Sequence, residues 1–437
     1  LYRRKPKMKT VLRDVKTASQ MMRRYYRAVK ETMRAMAGYL PSMKSWETRK
    51  MLARHIWLDA MHADMLRSRT LDLRYPRVDV DEDSDAHLIK LLHQLPNAAT
   101  DEQFVAGIYR VIKPALLAAF KTYMHNSDPL DDAPSHLYLQ RIINELEQQQ
   151  TDFETIRTST GKAFADTRWE TFLHSVLAAS GGIDGLDLDP GEKYIPFLSR
   201  ALYQLPEEGA RDESWEPAVM QVPPRLPDNW IEHRIWVAID HANEVWASET
   251  AAALIWEYDN KPWNLYYEAA RCYDEMRHAM MGEARLASMG LQIGIDYPMV
   301  PDHWRTFRQR GIGALLLLLH GLEQRGPLHK SKLKQELFAV HDFDGAQDCD
   351  YDWADESGHI TYGLSWLKSV FPGWQKLQII EETNKLLAEW REWIERHHHE
   401  GTHGYAVFLS RIEAKAKLLK TEQSDTQVVF QPTVVTK

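Results

Sequence analysis

The sequence predicts an all-α protein, and three observations carry that prediction. Ala, Leu, Met, Glu, Lys and Arg recur in long stretches with apolar residues spaced three and four apart. Strand-like alternation is scarce, and Gly and Pro concentrate in a few short stretches that punctuate the periodic segments. In the first half the spacing predicts helices over Val11–Gly38, Ser45–Leu71, Glu102–His125, Pro134–Thr158 and Arg168–Ala179. A Gly- and Asp-rich segment, Gly181–Gly191, and a Pro-rich one, Pro217–Pro227, then read as a linker. The second half resumes with helices over Asn229–Tyr258, Trp263–Ser288, His303–Gln324, His329–His341, Asp348–Val370, Trp374–His397 and Ala406–Leu419. From Thr421 the pattern ends, and the tail reads as disordered. The expected organisation is a helical lobe over 1–165, a helix and linker over 166–228, a helical bundle over 229–372, C-terminal helices over 373–420 and the tail 421–437.

At 437 residues the chain is long enough for two to three lobes with sizeable cores. Two cysteines, Cys272 and Cys349, are too few for a disulfide framework or a Cys-ligated metal, which suits a reducing, cytoplasmic compartment. A net charge of -8 argues against a general nucleic-acid binder. The basic start, Arg3 to Lys9, reads as a solvated helix entrance. The longest apolar run, Ala314–Leu319, is far too short to span a bilayer, and no signal-peptide pattern is seen. Neither a membrane nor nucleic acid is therefore expected as a partner. His397–His399 with His403 sit at a helix end and read as surface histidines rather than a metal tract. Gly181–Gly185 opens no helix of the right kind for a dinucleotide fingerprint.

The two halves contain an internal repeat. Lys30-Glu31-Thr32 is followed 28 residues after Glu31 by Asp59-Ala-Met-His62; Ser248-Glu249-Thr250 is followed 26 residues after Glu249 by Glu275-Met-Arg-His278. In the second half four helices supply ligand-type residues in order: Glu249, then Glu275 with His278, then Glu323, then Glu356 with His359. Residues i and i+3 share a helix face, so each Glu-x-x-His pair can offer an oxygen and a nitrogen to one ion. Carboxylates on apolar stretches such as Trp246–Ile255 and Leu315–Leu319 are costly to bury unless paired or metal-bound. Six such ligands suit two first-row ions. Glu257, Asp352 and Asp355 are the substitutes should one ligand be misassigned, and His320 is either a further ligand or a core histidine.

This order resembles the ferritin-like superfamily of di-metal carboxylate proteins, whose bundle pattern it matches. Leu322-Glu323-Gln324-Arg325-Gly326, Ala354-Asp355-Glu356-Ser357-Gly358-His359 and Gly363-Leu364-Ser365-Trp366 are similar to a bacterial ferritin-like family of unsettled function, over roughly 230–370. The resemblance implies two tandem ferritin-like four-helix lobes, the second holding two iron ions, or manganese with iron, on Glu249, Glu275, His278, Glu323, Glu356 and His359. The four glutamates are also the catalytic candidates. It further implies oxygen chemistry, and the expectation is a di-iron oxidase or oxygenase with dioxygen as co-substrate and a small organic substrate, working with or without an external electron donor, as a monomer or homodimer. A ferroxidase or iron-handling protein, or a metal-free helical scaffold, is the alternative.

The first half departs from the pattern: Asp59 stands for glutamate, Tyr123 and His125 lie where a glutamate is wanted, and Glu145-Leu-Glu-Gln148 replaces Glu-x-x-His. It reads as a degenerate structural lobe, with a mononuclear site on Glu31, Asp59, His62 and Glu145 as the alternative. The aromatics around the ligand helices, among them Tyr258, Tyr266, Tyr351, Trp353, Tyr362 and Trp366, read mainly as packing core.

Overall fold

The computed structural model describes residues 13–82, 85–160, 167–185, 201–216, 230–297, 299–300, 302–397 and 405–422. Among these residues the regular structure is helical, with one isolated bridge between Ile293 and Tyr297. The basic start, the Pro-rich 217–227 segment, most of the histidine tract and the tail from 423 lie outside the described residues. The chain divides into two units, one of residues 1–39 with 54–204, the other of 40–53 with 205–437. The division at 204/205 falls inside the expected linker, whereas the assignment of 40–53 to the second unit has no counterpart in the sequence reading.

The first unit contains α1 (Val15–Tyr39), most of α2 (Trp46–Asp72), α3 (Ala86–Leu92), α4 (Asp101–Ala106), α5 (Lys113–His125), α6 (Ala133–Thr160) and α7 (Thr167–Ala179). The sequence reading missed α3, a two-turn helix too short to show a period. A π-helical stretch, Gly107–Ile112, joins α4 to α5. Such bulges insert one residue and re-aim the side chains that follow, and here the next residue is Lys113. Asp101–His125 is long and apolar enough to cross a membrane by length and composition, but 67% of its apolar window is buried inside the protein, as in a core helix. α1 is buried from Met21 to Tyr39, and its arginines find internal partners. Arg24, for example, donates to the carbonyls of Ser180, Gly182 and Ile183 and pairs with Asp85.

The second unit contains α8 (Trp230–Asn243), α9 (Val245–Glu257), α10 (Trp263–Ala269), α11 (Cys272–Ser288), α12 (Asp302–Phe307), α13 (Ile312–Glu323), α14 (Gly326–Ala339), α15 (Phe343–Val370), α16 (Lys376–His397) and α17 (Tyr405–Glu422). Helices read as continuous in the sequence are broken at Glu244, at Ala270–Arg271 and at Gly311, whose φ of +87° only glycine adopts readily. α11 packs on α8, α9 and α15, and α13 packs on α9, α15 and α16. The line α8–α9 with α11, α13 and α15 therefore surrounds a common interior. Two stripes show why. On α11, Glu275, His278, Ala279, Gly282 and Leu286 are buried, and on α15, Asp352, Glu356, His359, Gly363 and Trp366 are buried. Each stripe steps by three or four residues and is polar where the two helices face each other. Gly282 lets α11 approach α8 closely: a Cβ there would lie 2.3 Å from Ala242 N and 2.4 Å from Ala238 O.

Candidate metal centre

α13 carries almost nothing but apolar residues until its last turn, where Glu323 is brought against the stripes of α11 and α15. There Glu275, Glu323, Glu356 and His359, all buried, each place one donor atom within 4.8 Å of one another. Beside them a second set forms from Glu244, Glu275 and His278, and a third from His278, Asp352 and Glu356. Glu275 and Glu356 thus belong to groups on both sides, as bridging carboxylates between two ion positions would.

Five of the six residues expected from the sequence are brought together, and Glu249 is not. Its carboxylate is fully buried 2.6 Å from Arg49 Nη1 and 2.6 Å from Arg211 Nη1. Five residues on a helix rotate a side chain by about 140°, so Glu249 and Glu244 cannot share a face. The first-helix carboxylate at the cage is Glu244, at the break between α8 and α9, with Oε2 3.0 Å from His278 Nδ1. The Glu-Thr motif common to both halves marks an arginine-bound carboxylate in each: Glu31 pairs with Arg34 at 2.9 Å and with His93 at 2.7 Å. The shared Glu-Thr spelling points the sequence reading to Glu249, whose carboxylate pairs with two arginines away from the cage.

The two histidines aim inward through Nδ1. His359 Nδ1 lies 2.6 Å from Glu275 Oε1 and 3.7 Å from Glu323, and His278 Nδ1 lies 3.4 Å from Glu275 Oε2. Their outward Nε2 atoms meet aspartates, His278 facing Asp355 at 3.2 Å and His359 facing Asp274 at 3.6 Å. Both aspartates immediately precede a ligand glutamate, so Asp274-Glu275-Met276-Arg277-His278 and Asp355-Glu356-Ser357-Gly358-His359 are the same five-residue pattern, each aspartate serving the other motif's histidine. Such partners fix ring orientation in metal sites. The sequence contained this signal in the shared Asp-Glu-x-x-His spelling, but only Asp355 was singled out there, as a substitute ligand.

Behind Glu244 stands a charged layer. Lys330 Nζ is 2.9 Å from Glu244 Oε1 and contacts Asp352, whose Oδ2 is also 2.8 Å from His241 Nε2. Asp352 is fully buried. Lys330 and His241 had no sequence signal beyond their helices. Of the remaining candidates, Glu257 is exposed. His320 packs against Gly363, its Nε2 2.7 Å from the Gln324 side chain, and it joins none of the donor groups. Burial pulls His320 down to about 4, which keeps it neutral. Tyr362 lies along His359 with ring centroids 5.1 Å apart, whereas Tyr351 is 59% exposed and faces away from any core.

The electrostatics record a cage of acids crowded without enough cations. Burial, and then the charges of Glu275 and Glu244, push Glu323 up to about 8. Burial with Glu323 and Glu275 drives Glu356 far above the carboxylate range. Burial alone would raise Glu275 as well, but His359 and His278 outweigh it and hold it low. Both histidines are held well above their ordinary range by the surrounding carboxylates despite burial. Protons therefore stand where cations would. Glu244 Oε2, Glu275 Oε1, Glu356 Oε2, His278 Nδ1 and His359 Nδ1 are buried, and the contacts they make are close ion pairs within the cage rather than hydrogen bonds to groups outside it. Buried donor atoms that converge on one small volume fit an ion, and an all-oxygen-and-nitrogen set fits iron or manganese.

In the first unit the carboxylates of the corresponding residues already have basic partners. Lys113 Nζ, fully buried, sits 2.9 and 2.7 Å from the two oxygens of Asp59 and also contacts Gln149. His62 is 2.8 Å from Glu145, and Glu31 is bound to Arg34 and His93. Tyr123 donates to Asp132 at 2.6 Å. Of the four residues of the mononuclear alternative, Glu31 and Asp59 are held by basic side chains and His62 pairs with Glu145, and among the described residues no donor group of metal-binding geometry forms in this unit.

No family model, curated protein or solved structure matches this chain.

Proposed function

We propose that the second unit is a ferritin-like dinuclear metal centre, loaded with two iron ions or with manganese and iron, that uses dioxygen to oxidise a small organic substrate. The observation that carries the reading is the pair of donor groups joined through Glu275 and Glu356, with the inward atoms of five candidate ligands buried and facing one another. The order of ligands along four helices supports it, with Glu244 in place of Glu249. Bound, the ion pair would supply the electrons and the coordination sites for dioxygen chemistry.

The chain's own residues would do the rest. Glu323 and His359 would hold one ion, Glu244 and His278 the other, and Glu275 and Glu356, which belong to donor groups on both sides, would serve both. Asp274 and Asp355 orient the imidazoles so that Nδ1 faces the interior. Leu315, Leu316, Leu318 and Leu319 on α13, all buried, keep that side of the centre dry, which strengthens every charge interaction inside it. An external reductant would return the centre to its ferrous state between turnovers.

Anaerobic loading with ferrous iron, followed by an oxygen pulse watched in the visible spectrum, tests the proposal. About two irons per chain, oxygen uptake and a transient absorbing species are expected from the wild type, and none of these from Glu356→Ala. Accumulation of iron far beyond two per chain, with a mineral core, would instead make the protein an iron-handling one. Absence of bound metal would leave a helical scaffold.

A further inference from the structure

The two ion positions are not electrostatically equivalent. At the first, Glu275, Glu323 and Glu356 have only His278 and His359 as ion-pair partners among the described residues, and no lysine or arginine reaches them. At the second, a permanent cation is built in. Lys330 comes from α14, the helix that starts just after Glu323, and its ammonium lies 2.9 Å from Glu244 while also contacting Asp352. The residue is only 8% exposed, so solvent cannot screen it. His241 closes the same group from α8. His241, Glu244 and Asp352 would by themselves be a cation site, and the ammonium occupies it.

We propose that Lys330 acts as an internal counter-cation for the second position, so that the centre loads in two unequal steps and the second ion must share Glu244 with the lysine. The inference rests on the dinuclear reading above. The physical argument is one of competition. Glu244 offers Oε1 to Lys330 and Oε2 toward His278, so an ion bound there shares a carboxylate with a buried ammonium and is repelled by it. With Lys330 in place the empty second position is electrically compensated, which keeps the carboxylates from repelling one another when only one ion is bound. Lys113 in the first unit shows the same device carried to completion, with both oxygens of Asp59 held by a buried ammonium. Lys330 is thus a positioning residue that sets loading order and not a ligand.

Manganese(II) titration under anaerobic conditions, with binding followed by equilibrium dialysis and coupling by electron paramagnetic resonance, tests this without reliance on turnover. The wild type should take up one uncoupled ion first. The second should bind about tenfold more weakly or worse and bring the signal of a coupled pair. Lys330→Met should strengthen the second step by about tenfold or more and merge the two, and Lys330→Arg, which keeps the charge, should preserve the gap. Should Lys330→Met fail to fold, Lys330→Gln is the substitute, and the wild-type titration decides by itself whether loading is stepwise. Two ions binding in one indistinguishable step, or a gap unchanged in Lys330→Met, would overturn the role of the lysine while leaving the dinuclear centre standing. No manganese bound by any variant would remove the centre itself.

Discussion

Glu244 and Glu249 lie five residues apart on neighbouring turns and illustrate how little a residue's identity says about its task. Both are acidic, but Glu249 is fully buried between two arginines, whereas Glu244 is half-buried and turns one oxygen toward His278. Glu249 is compensated by two guanidiniums, with Gly209 pressed so close that a Cβ there would lie 2.5 Å from its carboxylate. Breaking a buried ion pair from one side leaves the other charges stranded, so Glu249→Ala should destabilise the protein by about 3–5 kcal/mol. Metal stoichiometry in that variant should stay that of the wild type. Glu244→Ala should cost less stability, because Lys330 keeps Asp352 as its partner, and should lose one of the two ions. Denaturant unfolding combined with metal analysis of both variants checks the pair of outcomes; loss of an ion in Glu249→Ala would return that residue to the ligand set.

Helices position these residues only because their backbones can come close enough. α11 carries Glu275 and His278 on one stripe, and the same stripe continues one turn on to Gly282. A methyl group there would collide with the backbone of α8 at Ala242 and Ala238, and backbone cannot rotate away as a flexible side chain can. Gly282→Ala should therefore cost at least about 1–3 kcal/mol of stability. It should also weaken metal binding, since α8 ends at Glu244 and any shift of the helix pair moves Glu244 relative to His278. Thermal unfolding and metal affinity measured on this one variant would show both effects. A variant as stable and as metal-competent as the wild type would mean that α8 and α11 pack less tightly than described.

The two units differ in what a cation can do to them. Ions that bind the native state and not the unfolded one stabilise it, by about 2.7 kcal/mol at one hundred times the dissociation constant. In the second unit that stabilisation should appear as slowed amide hydrogen exchange in α9, α11, α13 and α15 when manganese is added. In the first unit Lys113 already fills the carboxylate pocket, so exchange around Asp59, Lys113 and Gln149 should be unaffected. Protection rising equally in both units would mean that the first also holds an ion and that its lysine is displaceable.

The helical class and most helices were legible in the sequence because a period of three to four is written in every amphipathic stretch. Legible too were Glu275, His278, Glu323, Glu356 and His359, since i and i+3 on a helix always share a face, and the structure gathers those five. The breaks at Glu244, Ala270–Arg271 and Gly311, the π-helical stretch ahead of Lys113 and the short α3 were not, because each is a local departure from the period that defines a helix. Only the tertiary structure decided between Glu244 and Glu249. A sequence ranks carboxylates by spacing, but Glu249 is turned away from the cage by Arg49 and Arg211, residues 200 and 38 positions away in the chain, whereas Lys330 holds one oxygen of Glu244 and leaves the other to His278. The same holds for Lys330 and Lys113, whose charges matter because folding buries them against particular acids, and burial and pairing are properties of three dimensions.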